Sequence, residues 1–345
     1  MMLGRGCHED IETHYPQMSM RRRVSCPLIG NLSCSGSLLM KRIFLSLFTA
    51  VSFFAVSSLP AQESPAKKPA KPAAAKPLDH LGKLAAVLEP TRTVVYKEVD
   101  GRELVLNIFE PEGWKATDKR PCFHIIHGGG WQGMEPRRMY PFAADFAKRH
   151  GMVGISVQYR LYQPDKSVTV FDCVKDARSS VRYVRAHAAE LGIDPDRIVV
   201  SGGSAGGHLA VATAMFDEVN EDSDDLSVSC APNALVLLFP VIDTSAEGYG
   251  QAKIGDRWEE LSPVHHVRKG LPPTITFHGT GDVTTPFKGA KSFHEQMLAL
   301  GNRSELVVNE GGVHGYLIRT EPLYEMALEK SAAFLKEVGM LDAAE

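Results

Sequence analysis

The chain has 345 residues, with 38 Lys and Arg against 41 Asp and Glu, for a formal net charge of −3; 44% of residues are hydrophobic and 23% charged. That balance speaks against a wholly disordered or fibrous chain and leaves ample apolar material for one large core. Acidic character without a basic stripe argues against nucleic acid as a partner. The six cysteines form no CxxC motif, so neither a disulfide framework nor a metal-ligand spacing is indicated.

Residues 1–39 carry no hydrophobic periodicity and read as an untranslated or unstructured leader. Met40-Lys41-Arg42 then precedes an apolar run from Ile43 to Val56, followed by Ser57-Ser58-Leu59-Pro60-Ala61. A basic start, a short apolar core and a small residue for cleavage define a signal peptide over 40–61. The run falls short of the roughly 20 residues needed to span a bilayer. We therefore expect Met40 to be the functional start, the protein to be exported to the periplasm or beyond, and no stable membrane span to remain after cleavage. Cys34 lacks the apolar run that a lipoprotein signal requires. Residues 62–77, QESPAKKPAKPAAAKP, read as an extended Lys/Pro/Ala linker. The folded domain is expected over 78–345. It keeps Cys122, Cys173 and Cys230, an odd number that leaves at least one thiol free unless the chain pairs with another; Cys122 falls on an expected strand.

Val94-Val95-Tyr96 and Leu104-Val105-Leu106-Asn107-Ile108, joined across Asp100-Gly101, predict an antiparallel hairpin. Apolar runs predict further strands near 122–127, 153–158, 198–201, 235–241, 274–278 and 305–308. Helical patterns fall between them at roughly 139–150, 172–191, 205–216, 287–300 and 321–338. Strands alternating with helices imply an α/β domain whose mostly parallel sheet is covered on both faces. The longest connection, Thr244 to Leu271, carries Tyr249, Trp258 and Ser262-Pro263; it either shapes a pocket or makes a plain surface excursion.

Two motifs carry chemistry. The strand near 122–127 runs into His127-Gly128-Gly129-Gly130-Trp131. Side-chain-free residues let backbone N–H groups approach a negative oxygen, so Gly129 and Gly130 are candidate donors to an oxyanion. The strand Ile198-Val199-Val200 runs into Gly202-Gly203-Ser204-Ala205-Gly206, followed by an alanine-rich helix. Strand, G-x-S-x-G, helix is the setting of a nucleophile elbow, with Ser204 at the strained turn and Ala205 N–H as a third oxyanion donor. The pentapeptide alone is weak evidence; its placement strengthens it. Trp131, directly after the glycines, is expected to close the acyl side of a substrate pocket; the alternative is that it packs under the loop and the connection 244–271 forms the wall.

A serine nucleophile needs a base, and the base an orienting acid. Asp282 ends the strand Pro272–Gly279 in the turn Gly279-Thr280-Gly281-Asp282 and is the favoured acid; Asp243, after the strand Leu235–Ile242, is the rival. His314, in Gly311-Gly312-Val313-His314-Gly315, is the favoured base. His127 is expected to brace its loop, His208 to pack on the elbow helix and His294 to be solvated. His124, His265 and His266 are less suited, and the adjacent pair 265–266 is poorly placed to share a metal.

From about Thr91 onward the chain resembles bacterial α/β-hydrolase esterases of the hormone-sensitive-lipase-like kind (α/β-hydrolase fold-3), bordering on the acetyl-esterase and feruloyl-esterase-like group. The resemblance rests on the His127–Trp131 loop, SGGSAGGHLA over Ser201–Ala210, Asp282 in HGTGD, His314 in VHGY, and the helix from Asp172 leading through Asp194-Pro195-Asp196-Arg197 into Val200. It implies an α/β-hydrolase fold with an N-terminal antiparallel hairpin. It also implies a serine carboxylic-ester hydrolase with a Ser204–His314–Asp282 triad and no cofactor. Lipase-like relatives often carry a large N-terminal helical cap, for which little chain is present here, so short acyl groups are expected, on small-molecule or polysaccharide esters. Prolyl-oligopeptidase-like peptidases share G-x-S-x-G-G, satisfied by Gly207, but carry a propeller that has no room here. A non-catalytic binding protein on this fold usually lacks a triad member.

Overall fold

The computed structural model describes residues 78–342. The expected leader, signal peptide and linker (1–39, 40–61 and 62–77) lie outside the described residues. Eight strands form one sheet: β1 Arg92–Val99, β2 Arg102–Phe109, β3 Arg120–Ile126, β4 Val153–Val157, β5 Ile193–Gly203, β6 Ala234–Leu238, β7 Thr274–Gly279 and β8 Ser304–Asn309. Their order across the sheet is β1-β2-β4-β3-β5-β6-β7-β8. The hairpin β1–β2 is antiparallel, and β2 also meets β4 antiparallel; every later pairing is parallel. This is an α/β-hydrolase sheet with the expected N-terminal antiparallel pair.

The helices are α1 His80–Ala85, α2 Tyr140–His150, α3 Val170–Ala186, α4 Ala188–Leu191, α5 Ala205–Met215, α6 Gln251–Ile254, α7 Phe287–Ala299 and α8 Glu321–Glu337. The expected single helix over 172–191 is two. His187 leaves helical geometry at φ −102°, ψ 20°, and α4 restarts after it. The start of α3 comes earlier than the apolar pattern suggested. Thr169 and Asp172 form a reciprocal capping box that satisfies backbone N–H groups at the helix entrance. Among the described residues, only the short helix α1 precedes the first strand.

The two-residue period of the strands feeds two cores. On β5, Ile198 and Val200 join Leu209 and Val211 of α5, Val174 and Val181 of α3 and Phe293 of α7. Val199 points the other way, toward Phe142 and Phe146 of α2 and Phe334 and Leu335 of α8. Each such side chain, removed from water, contributes about 1.5–3 kcal/mol. Every residue of α5 is buried, which explains why its sequence is apolar all round rather than striped. Cys122, Cys173 and Cys230 are all free and buried; Cys122 sits on β3, as its apolar surroundings suggested.

One polar feature of the core had no sequence signal. Lys97 Nζ lies 2.6 Å from Asp176 Oδ1 and 2.8 Å from Glu221 Oε2. Arg160 grips both oxygens of Asp176, with Nε at 2.9 Å from Oδ2 and Nη2 at 2.8 Å from Oδ1. The Asp176 side chain is fully buried. Such a cluster ties β1, the segment after β4, α3 and the loop after α5 together. Removing Asp176 leaves two buried cations, Lys97 and Arg160, to share Glu221 alone, and uncompensated buried charge generally costs about 3–5 kcal/mol.

Candidate active site

The parallel strands end at one edge of the sheet, and the loops leaving β3, β5, β7 and β8 converge there. Ser204 follows β5 at φ 57°, ψ −121°, a conformation costly for any residue with a side chain. Its neighbours hold it. Ser204 N–H donates to Leu238 O at 2.9 Å, and Ser204 O accepts from Val241 N–H at 3.1 Å. The turn works only with small residues: a Cβ on Gly206 would sit 2.2 Å from Ile126 O. The glycine of the motif is thus set by the approach of α5 to β3.

His314 Nε2 lies 2.9 Å from Ser204 Oγ, and His314 Nδ1 lies 2.7 Å from Asp282 Oδ2. Asp282 is held from below. Its Oδ1 accepts the backbone N–H groups of Thr284 and Thr285, both at 2.9 Å, and the Thr285 hydroxyl is 2.9 Å from Oδ2. Burial pushes the Asp282 pKa up, but the hydrogen bonds from His314 and from Thr285 outweigh it and leave the carboxyl below its ordinary value. An ionised Asp282 can only accept, so His314 carries its proton on Nδ1 and offers Nε2 to the serine. The two loops are also tied to each other, through Gly281 N–H to Gly312 O at 3.0 Å and Gly311 N–H to Thr280 Oγ1 at 2.8 Å.

The loop after β3 turns back on itself, with Gln132 and Gly133 N–H groups donating to Gly129 O. Gly129 adopts φ +100°, and a Cβ there would lie 2.1 Å from Gly133 O, so only glycine fits. Among the described residues, the N–H groups of Gly129, Gly130 and Ala205 donate to no protein acceptor. Gly129, Gly130 and Ser204 all border one cavity of about 390 Å³. Free donors beside a hydroxyl that a histidine can deprotonate are suited to an acyl-transfer intermediate.

The cavity wall is largely apolar, formed by Met134, Met139, Phe239, Tyr249 and Ile318, with an Asp79–Arg138 ion pair and Arg319 among its polar members. Trp131 is not part of that wall, which corrects the expectation that it closes the acyl side. It is fully buried beneath the loop, edge-on to His208 at 5.0 Å and tilted against Tyr249 at 5.6 Å. Trp131 itself has φ 63°, which turns its side chain under the glycines and away from the cavity. The connection 244–271 supplies the wall instead, through Tyr249. It also braces the loop, because Lys253 Nζ donates to Gly130 O at 2.8 Å. The sequence flagged Tyr249 but gave no sign of Lys253, Asp79, Arg138 or Thr285.

The remaining histidines lie elsewhere. His127 stacks on Tyr159 at 4.4 Å and contacts Gly128 O at 2.9 Å; burial lowers its pKa to about 4. His208 contacts Leu261 O at 2.7 Å, and burial likewise brings it to about 4. Both are neutral braces. His294 is half-buried rather than solvated, with Nδ1 2.8 Å from Ser304 Oγ. Asp243 Oδ1 accepts from Ser245 N–H at 2.8 Å and closes a turn; it borders a separate cavity with Trp258 and Lys288. Among the described residues no group of three or more His, Cys, Asp or Glu side chains is placed to hold a metal ion, and no helix is long and apolar enough to cross a membrane.

Fold and site together define the class as an α/β hydrolase of the serine-esterase, carboxylic-ester-hydrolase type. Residues 106–297 match the BD-FAE family, and the chain belongs to that family. Thermogutta terrifontis esterase 2, in its form phosphoramylated by tabun, is 43% identical with a TM-score of 0.70, over 73% of this chain and 96% of that one. The propionate-bound form of the same esterase is 42% identical with a TM-score of 0.69, over 74% and 96%. The probable isoprenylcysteine α-carbonyl methylesterase ICMEL1 of Arabidopsis thaliana is 26% identical over 67% of this chain and 52% of its own length. The chain thus spans about half the length of that curated relative.

Proposed function

We propose that this protein is an exported esterase that hydrolyses short-chain acyl esters through an acyl-enzyme on Ser204. The observation that carries the reading is the unbroken line Asp282 Oδ2, His314, Ser204 Oγ, with contacts of 2.7 and 2.9 Å, beside three free N–H groups. His314 Nε2 takes the Ser204 proton as Oγ bonds to the ester carbonyl carbon. The carbonyl oxygen becomes an oxyanion facing Gly129, Gly130 and Ala205 N–H. The protonated imidazole, steadied by ionised Asp282, then gives its proton to the alkoxide as the C–O bond breaks. Water, deprotonated by the same nitrogen, attacks the acyl-serine and returns the enzyme.

The acyl group is proposed to be C2 to C4. A cavity of about 390 Å³, and an esterase of the same architecture seen with propionate and with butyrate, support this. The alcohol part of the ester is proposed to be a polysaccharide hydroxyl, in keeping with the signal-like segment at 40–61. Each methylene is worth about 0.8 kcal/mol only where a wall exists to bury it. Across acetyl, butyryl, octanoyl and palmitoyl esters, kcat/KM is expected to peak at C2 to C4. A rise continuing through octanoyl would overturn the short-acyl assignment and remove the support for polysaccharide deacetylation, while leaving the esterase reading intact.

A further inference from the structure

Thr285 is buried inside the acid–base couple. Its Oγ1 lies 2.9 Å from Asp282 Oδ2, 3.1 Å from His314 Nδ1 and 3.4 Å from Phe239 O. Its neighbour Thr284 borders the substrate cavity; Thr285 does not. We propose that Thr285 is a positioning residue, whose hydroxyl donates to Asp282 Oδ2 and fixes the carboxylate in the orientation that receives the Nδ1 proton of His314. The proposal rests on the triad reading above.

The hydrogen-bond ledger of Asp282 leads there. Oδ1 is filled by the two backbone N–H groups of Thr284 and Thr285. Oδ2 meets His314 on one side. The carboxylate is fully buried, so water cannot serve the remaining lone pair, and a buried acceptor without a donor is costly. Two donors are in range. His278 Nε2 is 3.5 Å away but lies 2.7 Å from Thr285 O, where its proton is committed. That leaves the threonine hydroxyl. Its other acceptor, Phe239 O, is longer and uncharged, so the proton goes to the carboxylate. The hydroxyl oxygen then faces His314 Nδ1–H as a second, weaker acceptor, and the three groups close a ring that restrains the imidazole from turning.

Nothing else charged competes at this point among the groups packed around it. Burial keeps His278 neutral, against the opposing pull of its bond to Thr285 O and of Asp282. Arg319 reaches His314 only through the backbone carbonyl, at 3.0 Å, and Phe239 presents its ring edge to the imidazole.

The test compares Thr285→Val, which keeps shape and removes the hydroxyl, with Thr285→Ser, which keeps the hydroxyl. In Thr285→Val, kcat is expected to fall about tenfold, as for loss of a hydrogen bond to a charged group, with KM within about twofold because the cavity wall is intact. The pH profile separates positioning from packing. With no hydroxyl drawing charge from Oδ2, the carboxylate holds the imidazolium more tightly. The acid limb of kcat/KM therefore moves to higher pH in Thr285→Val and returns in Thr285→Ser. Wild-type kcat in Thr285→Val, or a slower enzyme with an unmoved acid limb, overturns the proposal. If the valine variant does not fold, Thr285→Ala carries the same readouts. Failure of the triad itself is distinct, since it shows as activity retained in Ser204→Ala.

Discussion

Ser204→Ala is expected to lower kcat/KM by about 10⁵- to 10⁶-fold, and His314→Ala by a similar factor. The two losses should not add. Oγ and Nε2 stand 2.9 Å apart and act in one step, so once either is gone the other has nothing to do. The residual rate should exceed that in water, because the N–H groups of Gly129, Gly130 and Ala205 are backbone donors that neither change removes. Both variants should fold. Ser204 makes its structural contacts through backbone atoms, to Leu238 O and from Val241 N–H, and His314 keeps a quarter of its side chain exposed. The measurement is steady-state hydrolysis of an acetyl or butyryl ester by the single and double variants. A double variant far slower than either single one would show that the two groups work independently.

Asp282→Asn is expected to cost about 10⁴-fold, while Asp243→Asn should stay within a few-fold of wild type. The hydrogen bonds explain the size of the first effect. Backbone N–H groups of Thr284 and Thr285 point at Oδ1, so an asparagine must put its carbonyl oxygen there. Its NH₂ then occupies the Oδ2 position and faces His314 Nδ1. Two donors cannot face each other, so the imidazole shifts its proton to Nε2 and presents N–H to Ser204 where an acceptor is needed. Asp243 serves only a turn at Ser245 and borders another cavity. Kinetics of both variants at one pH decide the matter; the opposite ranking would make Asp243 the acid.

What could be read from the sequence follows from how local each signal is. Strands β3, β4, β6 and β7 and the second half of β5 announce themselves as short apolar runs because these parallel strands are covered on both faces. The elbow and the glycine loop are legible because their backbone geometry admits few residue types, as Gly206 and Gly129 illustrate. Asp282 and His314 could be named because each lies on a glycine-rich loop that leaves a strand at the same sheet edge. Trp131 lies under the loop for a reason the sequence hides. Its neighbours place it beside the site, but the direction of its side chain is set by a positive φ, which sequence does not display for a non-glycine residue. Thr285 and Lys253 are ordinary loop and helix residues in the sequence. Lys253 matters because the fold brings it within 2.8 Å of Gly130 O, from a distant segment; Thr285 is close to Asp282 in the chain, but its place between that carboxylate and His314 is set by the turn and by the packing of the later loop. The ion cluster of Lys97, Arg160, Asp176 and Glu221 is invisible for the same reason, since its members are spread over more than a hundred residues. The break at His187 went unseen because the apolar pattern continues across it.

The central claim is that Ser204 forms the covalent intermediate. Its most direct test is treatment of the enzyme with a fluorophosphonate ester, followed by intact-mass measurement and peptide mapping. The relative Thermogutta terrifontis esterase 2, phosphonylated by sarin and phosphorylated by paraoxon, is a matched positive control. One adduct per chain is expected, on Ser204, forming in step with loss of activity and absent from Ser204→Ala. Complete inactivation with the adduct on any other residue, or with Ser204 unmodified, would contradict it.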